Sequence, residues 1–549
     1  MTTEQLTGAP EGIARAGEIL RAGGLVAIPT ETVYGLAANA LDPEAVRRIF
    51  AAKGRPADNP LIVHITGTEQ WAPLVRELPP AALRLAEAFW PGPLSIILEK
   101  SDKIPMATSG GLATVAVRCP SHPLARAVID AAGVPLAAPS ANPSGRPSPT
   151  TFAHTLKDLN GRVDGVLDGG ACGVGVESTV VSLAGDCPRL LRPGGVTVEQ
   201  LRAVLGRLEI DPAVTAMLAP GAQAASPGMK YKHYAPRAQV LLVDGSPEEF
   251  AAFVNQREAA RHNQGEKTYA SGEGPAFALC FEETAPLVEL PAVVYGSRYD
   301  RARQARELFS ALLRLDEQGA GRVYAQRPSP RGVGLAVYNR LLRAAAFRVE
   351  AAPGPMIVGL VGPSGAGKST VGQELARQGF EVLDCDRFTR SPQVYDEACV
   401  AELQRAFGED VAPGGTLDRR RLAGRAFASQ QAKRTLEDIT LPRIVAAVWQ
   451  ETERLRQAGK LVVWDAPTLF EAGLDRWCRR IVAVTAPKEE RLRRVMARDG
   501  LTEAQALQRL GAQPEDEYYR ERADYEIENG PEADLACQVK RMGDQWKGR

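Results

Sequence analysis

The sequence predicts an α/β protein that is built from several domains. Three observations lead to this fold class: the length of 549 residues, the alternation of short apolar strand-like runs with helix-like segments, and breaks in composition that divide the chain. A domain averages about 150 residues, so the chain has room for three or four. With 44% hydrophobic and 24% charged residues, the composition is typical of globular rather than disordered proteins.

Breaks in composition place the domain boundaries. A Pro- and Gly-rich stretch at 351–355 separates a helical pattern from a strand-like one, which indicates a boundary there. A second stretch, 219–238, also carries two Tyr, a His and two Lys, which favours a linker that reaches into a site. We therefore predict an α/β domain at 8–218, an active-site linker at 219–238, a small α/β domain at 239–350 and a domain with a parallel sheet at 356–549.

Charge and targeting signals exclude several function classes. The 66 basic residues balance the 66 acidic ones, and residues 1–237 are nearly balanced by themselves, so stable nucleic-acid binding is not expected. The eight Cys form no CxxC pair and the five His lack metal-ligand spacing, which argues against a zinc site or a disulfide framework. No signal peptide is apparent and no apolar run approaches the ~20 residues of a membrane span, so we expect a cytoplasmic protein without membrane contact.

Polar residues gather at the predicted strand ends of 8–218. Ligand-binding groups collect where the strands of an α/β sheet pass into loops, so these residues are expected to share one pocket. Lys53 and Arg55 supply positive charge for phosphate oxygens, and Ser140 and Asn142 supply short neutral donors on a Pro-containing loop. Arg118, which follows an apolar strand, is placed to pair with a carboxylate.

Each of these pieces also has an ordinary interpretation. A Lys-x-Arg at a helix end is usually a solvated surface feature, and a Pro-Ser-Ala-Asn loop is usually only a turn. His64 at the end of a strand is as well explained by a satisfied core position as by a ligand contact. Individually, therefore, none of these segments is sufficient evidence for a binding site.

Taken together and in this order, Lys53, Arg55, Ser140 and Asn142 resemble the signature of the Sua5/YrdC/TsaC family, the threonylcarbamoyl-AMP synthases. The segment SPGMKYKHYAP (226–236) and the unit after it resemble the longer Sua5 form, so the resemblance covers about 10–348. It implies that L-threonine, bicarbonate and ATP give threonylcarbamoyl-AMP and pyrophosphate. This product would pass to the machinery that transfers the threonylcarbamoyl group to an adenosine of tRNA.

The resemblance also implies residue roles. The catalytic residues would be Lys53, Arg55, Ser140 and Asn142. The nucleotide contacts would be Asn59, Thr114, Ser148, Arg192, Tyr231 and Tyr234. The threonine contacts would be Thr32, His64, Arg118 and Ser178.

A phosphate-binding loop occurs at 362–369, where GPSGAGKS fits the pattern GxxxxGK[ST] between a strand-like and a helix-like segment. Its Lys368 would reach the β- and γ-phosphates of ATP, and its Ser369 would coordinate the Mg²⁺ that accompanies ATP. Asp384 follows the next strand and is the candidate for orienting or deprotonating an acceptor hydroxyl. Further ATP contacts are predicted at Gly365, Ala366, Gly367 and Thr370.

The region 356–545 resembles dephospho-CoA kinase. The resemblance rests on the P-loop and on three later elements, namely a DxPLLFE-like strand that begins at Asp465, the pair Arg494 and Arg498, and a late Ala-Asp element with Asn529. It implies transfer of the γ-phosphoryl of ATP to the 3′-hydroxyl of dephospho-CoA, with Arg494 and Arg498 on a closing lid. The chain departs from the family pattern at Pro363, Ser364, Leu441 and Thr468, which bears on acceptor recognition.

Two other functions stay open at this stage. The N-terminal region could be an RNA-binding YrdC-like module attached to a single active kinase, although its balanced charge argues against that. Alternatively, one half could have lost its activity and serve as a scaffold.

Overall fold

The computed structural model describes residues 2–217, 234–263 and 274–547. The chain forms two compact units. Unit 1 consists of residues 1–244 and 250–352, and unit 2 consists of 245–249 and 353–549. Unit 1 contains both of the first two predicted domains, each with its own sheet, and unit 2 contains the predicted kinase domain. The predicted α/β class is confirmed. No helix in the described ranges is long and apolar enough to cross a membrane.

The first part of unit 1 is organised around a mixed sheet. Its strands are β1 (Glu4–Leu6), β2 (Val26–Ile28), β3 (Gly35–Asn39), β4 (Ile62–His64), β5 (Leu94–Glu99), β6 (Thr114–Arg118), β7 (Leu136–Ala137), β8 (Gly165–Leu167), β9 (Thr179–Ser182), β10 (Arg189–Arg192) and β11 (Glu209–Ile210). They are ordered β1-β8-β2-β3-β7-β4-β6-β5-β9-β10-β11. The helices are α1 (Pro10–Arg21), α2 (Pro43–Lys53), α3 (Pro80–Phe89), α4 (Met106–Ser109), α5 (Pro123–Ala132), α6 (Phe152–Leu159) and α7 (Val198–Leu205).

The second part of unit 1 has a parallel sheet. Its strands are β12 (Gln239–Asp244), β13 (Ala276–Cys280), β14 (Ala292–Val294), β15 (Arg322–Gln326) and β16 (Val349–Ala351), in the order β14-β13-β15-β12-β16. The helices are α8 (Pro247–Asn263), α9 (Arg301–Glu317) and α10 (Gly334–Ala344). Helix α10 is buried along most of its length, which makes it a core element.

Unit 2 has a five-stranded sheet in which all pairs are parallel. Its strands are β17 (Ile357–Val361), β18 (Phe380–Asp384), β19 (Leu461–Asp465), β20 (Arg480–Thr485) and β21 (Tyr525–Glu528), in the order β18-β19-β17-β20-β21. Its helices are α11 (Lys368–Arg377), α12 (Glu397–Phe407), α13 (Arg419–Ala426), α14 (Gln430–Gln457), α15 (Lys488–Asp499), α16 (Glu503–Gly511), α17 (Asp516–Arg522) and α18 (Leu535–Lys547). Central strand β17 is buried along its whole length, and the P-loop follows it directly.

Local sequence explains where α2 begins and ends. The carboxylate of Asp42 accepts the main-chain N–H of Glu44, and Pro43 occupies the first turn, where a missing N–H costs nothing. Gly54 ends the helix with a φ of 60°, a left-handed conformation that glycine adopts without the Cβ penalty. The helix therefore stops directly after Lys53.

Candidate active sites

Residues from widely separated segments of unit 1 line one cavity of about 50 Å³. It is bordered by α2, by the ends of β4, β6 and β10, and by the loops after β7 and before β9. The structure thus brings many of the predicted synthase residues together. Those that line the cavity are Thr32, Lys53, Arg55, His64, Arg118, Ser140, Asn142, Ser178, Arg192 and Tyr234.

Lys53 is hydrogen-bonded to the loop that carries Ser140 and Asn142, two of the predicted catalytic residues. Its side chain is buried, and its Nζ donates hydrogen bonds to the main-chain carbonyls of Ser140, at 2.5 Å, and Asn142. Burial, together with the charge of Arg55, holds the pKa of Lys53 well below its usual value. A phosphate beside this amine would favour its charged form, so the pocket is suited to an anion.

Arg55 enters the same cavity after the left-handed turn at Gly54. Its Nε donates to the carbonyl of Asn59 at 3.3 Å, and its Nη2 donates to the carbonyl of Pro60 at 3.1 Å. Burial lowers the pKa of Arg55 to about 10, which leaves the guanidinium charged at neutral pH. The side chain is therefore a fixed cation held by main-chain oxygens.

His64 and Arg118 lie side by side because they end adjacent parallel strands and are partners in register. Burial and the charge of Arg118 lower the pKa of His64 to about 3, so its imidazole is neutral. Nη2 of Arg118 donates to Oε1 of Glu31 at 2.7 Å, in a pair that is nearly excluded from solvent. Glu31 is absent from the predicted set, although it stands next to Thr32 in the sequence. Its carboxylate orients the arginine that is predicted to bind threonine.

Ser178 and Arg192 form another part of the wall. Nε of Arg192 donates to the carbonyl of Ser178 at 3.0 Å, and Nη2 donates to its hydroxyl at 3.1 Å. The same hydroxyl lies 2.8 Å from that of Ser95. Thr32 is equally well held, since its hydroxyl lies 2.8 Å from that of Thr30. These polar groups are fixed in place by neighbours within the protein.

Glu177 also lines the cavity and is missed by the sequence prediction. Burial alone would raise its pKa, but the positive charges of Arg340 and Arg192 and a hydrogen bond from Ser148 hold the pKa below its usual range. A carboxylate within a pocket for anions is unexpected from composition. Its position directly before Ser178 is the one sequence feature that could have drawn attention to it.

Asn59, Thr114 and Ser148, which are predicted to contact the nucleotide, are not among the described residues that line this cavity. Thr114 begins β6, whose opposite end reaches the cavity. The hydroxyl of Ser148 donates to Oε1 of Glu177 at 2.5 Å. Their roles stay predictions.

Of the two predicted linker tyrosines, only Tyr234 lies among the described residues. Tyr231 lies outside the described residues. Tyr234 is buried, lines the cavity and has a φ of 62°, a conformation that is unusual for a residue with a side chain. Its ring lies 5.4 Å from that of Phe309 on α9. The end of the linker is therefore packed between the cavity and the second part of unit 1.

The P-loop of unit 2 has the strand, glycine-rich turn and helix that its sequence predicts. Gly365 and Gly367 have φ values of 79° and 91°, and a Cβ on Gly365 would lie 2.6 Å from the carbonyl oxygen of Arg491. Helix α11 begins at Lys368, whose Nζ donates to the carbonyl of Gly362 at 2.8 Å. The turn and the first main-chain N–H groups of α11 form the usual cradle for phosphate.

The cavity at the P-loop is much larger, about 610 Å³. Predicted residues Gly365, Gly367, Lys368, Ser369, Thr370, Asp384, Arg494 and Arg498 line it. Ala366 is not among the described lining residues, because it is buried and its carbonyl accepts a hydrogen bond from Asn529 at 2.9 Å. Asp386, Asp465, Arg509 and Gln513 line the cavity without having been assigned a role from sequence.

Three aspartates face this cavity, and their environments differ. Oδ1 of Asp384 accepts the main-chain N–H of Asp386 at 3.0 Å and caps a short 3₁₀ helix, Cys385–Arg390. Burial and the charge of Asp384 raise the pKa of Asp386. Burial also raises the pKa of Asp465 to about 6, with a further contribution from the other two carboxylates. Asp384 thus caps the 3₁₀ helix, whereas Asp386 and Asp465 have raised pKa values.

Arg494 and Arg498 are held differently. Arg494 pairs with Glu490 at 2.8 Å and also donates to the carbonyls of Gly365, at 3.3 Å, and Asn529, at 3.0 Å. Arg498 pairs with Asp499 at 2.8 Å and is about half exposed. Arg494 therefore braces the P-loop, and Arg498 extends into the open cavity.

The positions that depart from the kinase pattern lie in two places. Pro363 and Ser364 line the cavity, and the main-chain N–H of Ser364 donates to Oε1 of Gln513 at 2.8 Å. Leu441 lies inside α14, and Thr468 is exposed. Neither Leu441 nor Thr468 is among the described residues that line the cavity.

Both parts of the chain are similar to known proteins. Family models match residues 18–194 (Sua5_yciO_yrdC, described as telomere recombination), 196–346 (threonylcarbamoyl-AMP synthase, C-terminal domain) and 356–534 (dephospho-CoA kinase). The threonylcarbamoyl-AMP synthase of Pyrococcus abyssi is 45% identical over 335 residues, which is 61% of this chain and 94% of that protein. The dephospho-CoA kinase of Corynebacterium efficiens is 39% identical over 188 residues, which is 34% of this chain and 94% of that protein.

The chain belongs to both families. The threonylcarbamoyl-AMP synthase of Bacillus subtilis is 44% identical over 64% of this chain and 97% of its own length. Among solved structures, P. abyssi Sua5 complexed with L-threonine has a TM-score of 0.58 at 40% identity and covers 64% of this chain and 100% of that one. The predicted resemblances are thus confirmed, with a Sua5-type synthase region followed by a dephospho-CoA kinase region.

Proposed function

We propose that this chain is a bifunctional enzyme. The synthase region converts L-threonine, bicarbonate and ATP into threonylcarbamoyl-AMP and pyrophosphate. The kinase region transfers the γ-phosphoryl group of ATP to the 3′-hydroxyl of dephospho-CoA and gives CoA and ADP. The observation that carries the proposal is that each region gathers buried or convergent cations around a cavity of its own, on a sheet of its own.

The chemistry of the first cavity suits adenylation of a carbamate. Threonine and bicarbonate combine with loss of water to an N-carboxy species, whose oxygen attacks the α-phosphorus as pyrophosphate leaves. Lys53, Arg55 and Arg192 would stabilise the charge on the phosphates, because fixed cations in a dry site need little reorganisation. Arg118, oriented by Glu31, would take the carboxylate of threonine. The L-threonine complex of the Pyrococcus relative supports this substrate.

Neutral His64 completes the proposed threonine pocket. A buried imidazole that stays uncharged adds no repulsion toward the ammonium form of threonine. Its Nδ1 is hydrogen-bonded to the carbonyl of Ile62 at 3.1 Å, so Nε2 is the nitrogen that would pair with a hydroxyl or an amine. Ser178 and Thr32 add hydroxyl groups on the same wall. The pocket would thereby recognise both ends of the amino acid, its charged backbone groups and its side-chain hydroxyl.

The second cavity suits transfer of a γ-phosphoryl group. The P-loop and Lys368 would hold the β- and γ-phosphates, and Arg494 and Arg498 would offset charge on the group in flight. We assign the acceptor hydroxyl to Asp386 rather than to Asp384, because Asp384 already serves as a helix cap and raises the pKa of its neighbour. The proton of the hydroxyl would pass to the carboxylate of Asp386 as the new P–O bond forms.

The residues of the kinase cavity fit a Mg²⁺ ion that arrives with ATP. Ser369 is the P-loop hydroxyl that would hold it, and Asp465 has a buried Oδ1 without a hydrogen-bond partner among the described residues. Within the described ranges, no group of three or more His, Cys, Asp or Glu is arranged to hold a metal by itself. When bound, the ion would offset charge on the β- and γ-phosphate oxygens.

The proposal is tested with the full chain and each substrate set in turn. With ATP, threonine and bicarbonate, we expect pyrophosphate release that stops when threonine or bicarbonate is omitted. With ATP and dephospho-CoA, we expect ADP and CoA in equal amounts. Pyrophosphate release that ignores threonine would refute the first assignment, and absence of CoA would refute the second.

The product of the first reaction is an activated mixed anhydride and needs an acceptor. We propose that it passes to the machinery that modifies an adenosine of tRNA, because the free anhydride is prone to hydrolysis in water. A preparation of that machinery with unmodified tRNA should take up label from [¹⁴C]threonine only when this chain and ATP are present.

A further inference from the structure

Arg340 connects the second part of unit 1 to the first cavity. It lies on α10, outside the synthase sheet, and is fully buried. Its Nε donates to Oε2 of Glu177 at 2.9 Å, and its Nη1 donates to the carbonyl of Pro193 at 2.6 Å. Its guanidinium carbon also lies 5.6 Å from the centre of the Tyr234 ring.

These contacts reach three segments of the cavity wall at once. Glu177 directly precedes Ser178, and Pro193 directly follows Arg192. Arg192 is itself hydrogen-bonded to Ser178. Arg340 therefore bonds to both chain segments that carry this hydrogen-bonded pair. Tyr234 is the residue through which the linker enters the cavity. One side chain therefore sets the spacing of three cavity-lining elements.

We infer that Arg340 is a positioning residue of the synthase, through which the second part of unit 1 holds Arg192, Ser178 and Tyr234 in their productive arrangement. The inference rests on the proposed synthase function. Arg340 does not line the cavity within the described residues, and it acts through Glu177 and Pro193.

Charge explains why an arginine is suited to this place. Glu177 lies beside the cavity cations, and without a partner its carboxylate would compete with phosphate for Arg192. The ion pair with Arg340 satisfies Glu177, while Arg192 donates to the carbonyl and the hydroxyl of Ser178. A buried pair that loses one partner leaves an uncompensated charge, and the neighbouring cation then moves to meet it.

The test compares Arg340→Met with Arg343→Met in the full chain. Arg343 controls for the loss of a buried charge from the same helix. It also acts electrostatically on Tyr234 and Arg192, but its Nη2 donates to the carbonyl of Ala213. For Arg340→Met we expect kcat/KM for ATP in pyrophosphate release to fall about 100-fold, the size of effect that a small misplacement of binding groups produces. This fall in kcat/KM should come mainly from a higher KM for ATP. Phosphorylation of dephospho-CoA should be unchanged.

Arg340→Lys separates positioning from folding. Lysine restores the positive charge beside Glu177 but lacks the guanidinium group that also bonds to the carbonyl of Pro193. We therefore expect kcat/KM for ATP to be at least about 10-fold higher in Arg340→Lys than in Arg340→Met. Folded fractions are measured by circular dichroism, and rates are normalised to them. Equal KM values for Arg340→Met and Arg343→Met would overturn the inference, as would a loss that the unfolded fraction fully explains. A wild-type chain that makes no pyrophosphate would instead refute the proposed function.

Discussion

The two cavities hold their proposed phosphate-binding groups in opposite ways. In unit 1, cations from distant segments converge on about 50 Å³ of space, with backbone carbonyls and a carboxylate as partners. Lys53, Arg118 and Arg192 among them are buried. In unit 2, one continuous loop and a helix terminus face a cavity of about 610 Å³, with an arginine that is half exposed. The first cavity is a tertiary arrangement of side chains, and the second is built on a local backbone motif.

The difference in size has a consequence for binding. The described walls of the first cavity leave about 50 Å³, and those of the P-loop cavity leave about 610 Å³. The groups of the first cavity are therefore in closer mutual contact than those of the second. We therefore expect the first site to depend strongly on how its wall segments are held, and the second to depend on single groups.

Removal of Lys53 should produce the largest effect. Lys53→Ala removes a phosphate cation and also the donor that holds the Ser140 and Asn142 carbonyls, so pyrophosphate release should fall by about 1,000-fold or more. The measurement is threonine-dependent pyrophosphate formation at saturating ATP. Kinase activity of the same preparation should be unaffected.

Lys100 provides the control for this variant. Its Nζ also holds a backbone carbonyl, that of Ile104 at 2.9 Å, in the same part of unit 1 but away from the cavity. Lys100→Ala should keep most of the synthase activity. If both alanine variants lose activity equally, Lys53 acts through stability alone and the cavity assignment is wrong.

A smaller effect should distinguish the two aspartates of the kinase site. Asp386→Asn removes the proposed base and should lower kcat for CoA formation about 100-fold, within the usual contribution of a general base. Asp384→Asn keeps an oxygen that can cap the 3₁₀ helix, so a loss below about 10-fold is expected. The reverse ranking in kcat would return the role to Asp384, as predicted from sequence.

The smallest effect concerns the stability of the synthase region in acid. His64 is neutral in the folded protein down to about pH 3, whereas an unfolded His takes up a proton near pH 6.5. The folded pKa is lowered, so stability is lost as pH falls from about 6.5 toward 3. Between pH 7.5 and pH 5 the loss amounts to about 2 kcal/mol, and His64→Gln should not show it.

Urea unfolding of the synthase region at the two pH values measures this difference. His262, which is exposed on α8, serves as the control, and His262→Gln should keep the wild-type pH dependence. An unchanged pH dependence in His64→Gln would show that the imidazole is accessible to protons in the folded state.

The comparison of the two sites also explains what sequence could predict. The P-loop is contiguous, so Gly365, Gly367 and Lys368 were predictable from spacing and from the flanking strand and helix. The synthase cavity is assembled from segments up to 202 residues apart, Thr32 to Tyr234. A shared pocket was predictable from the strand ends, but the roles of its residues were predictable only through family resemblance. Pattern alone left each of its segments with an ordinary interpretation.

The residues that sequence missed share a physical reason. Glu31 pairs with Arg118, and Glu177 pairs with Arg340, which lies on helix α10 of the second part of unit 1. Tertiary packing makes these pairs, and spacing along the chain does not predict them. Asp386 lies two residues from the predicted Asp384, and the choice between them depends on which carboxylate caps the 3₁₀ helix. Which carboxylate accepts a given hydrogen bond depends on three-dimensional geometry, and the spacing of residues along the chain does not predict it.

The central claim is that one chain cleaves ATP at two different phosphorus atoms in two independent sites. Phosphorus NMR of the Lys368→Ala chain, supplied with ATP, threonine, bicarbonate and dephospho-CoA together, tests it most directly. We predict that pyrophosphate forms at the wild-type rate while ADP formation is lost. Loss of pyrophosphate in this variant, or ADP formation at the wild-type rate, would contradict the claim.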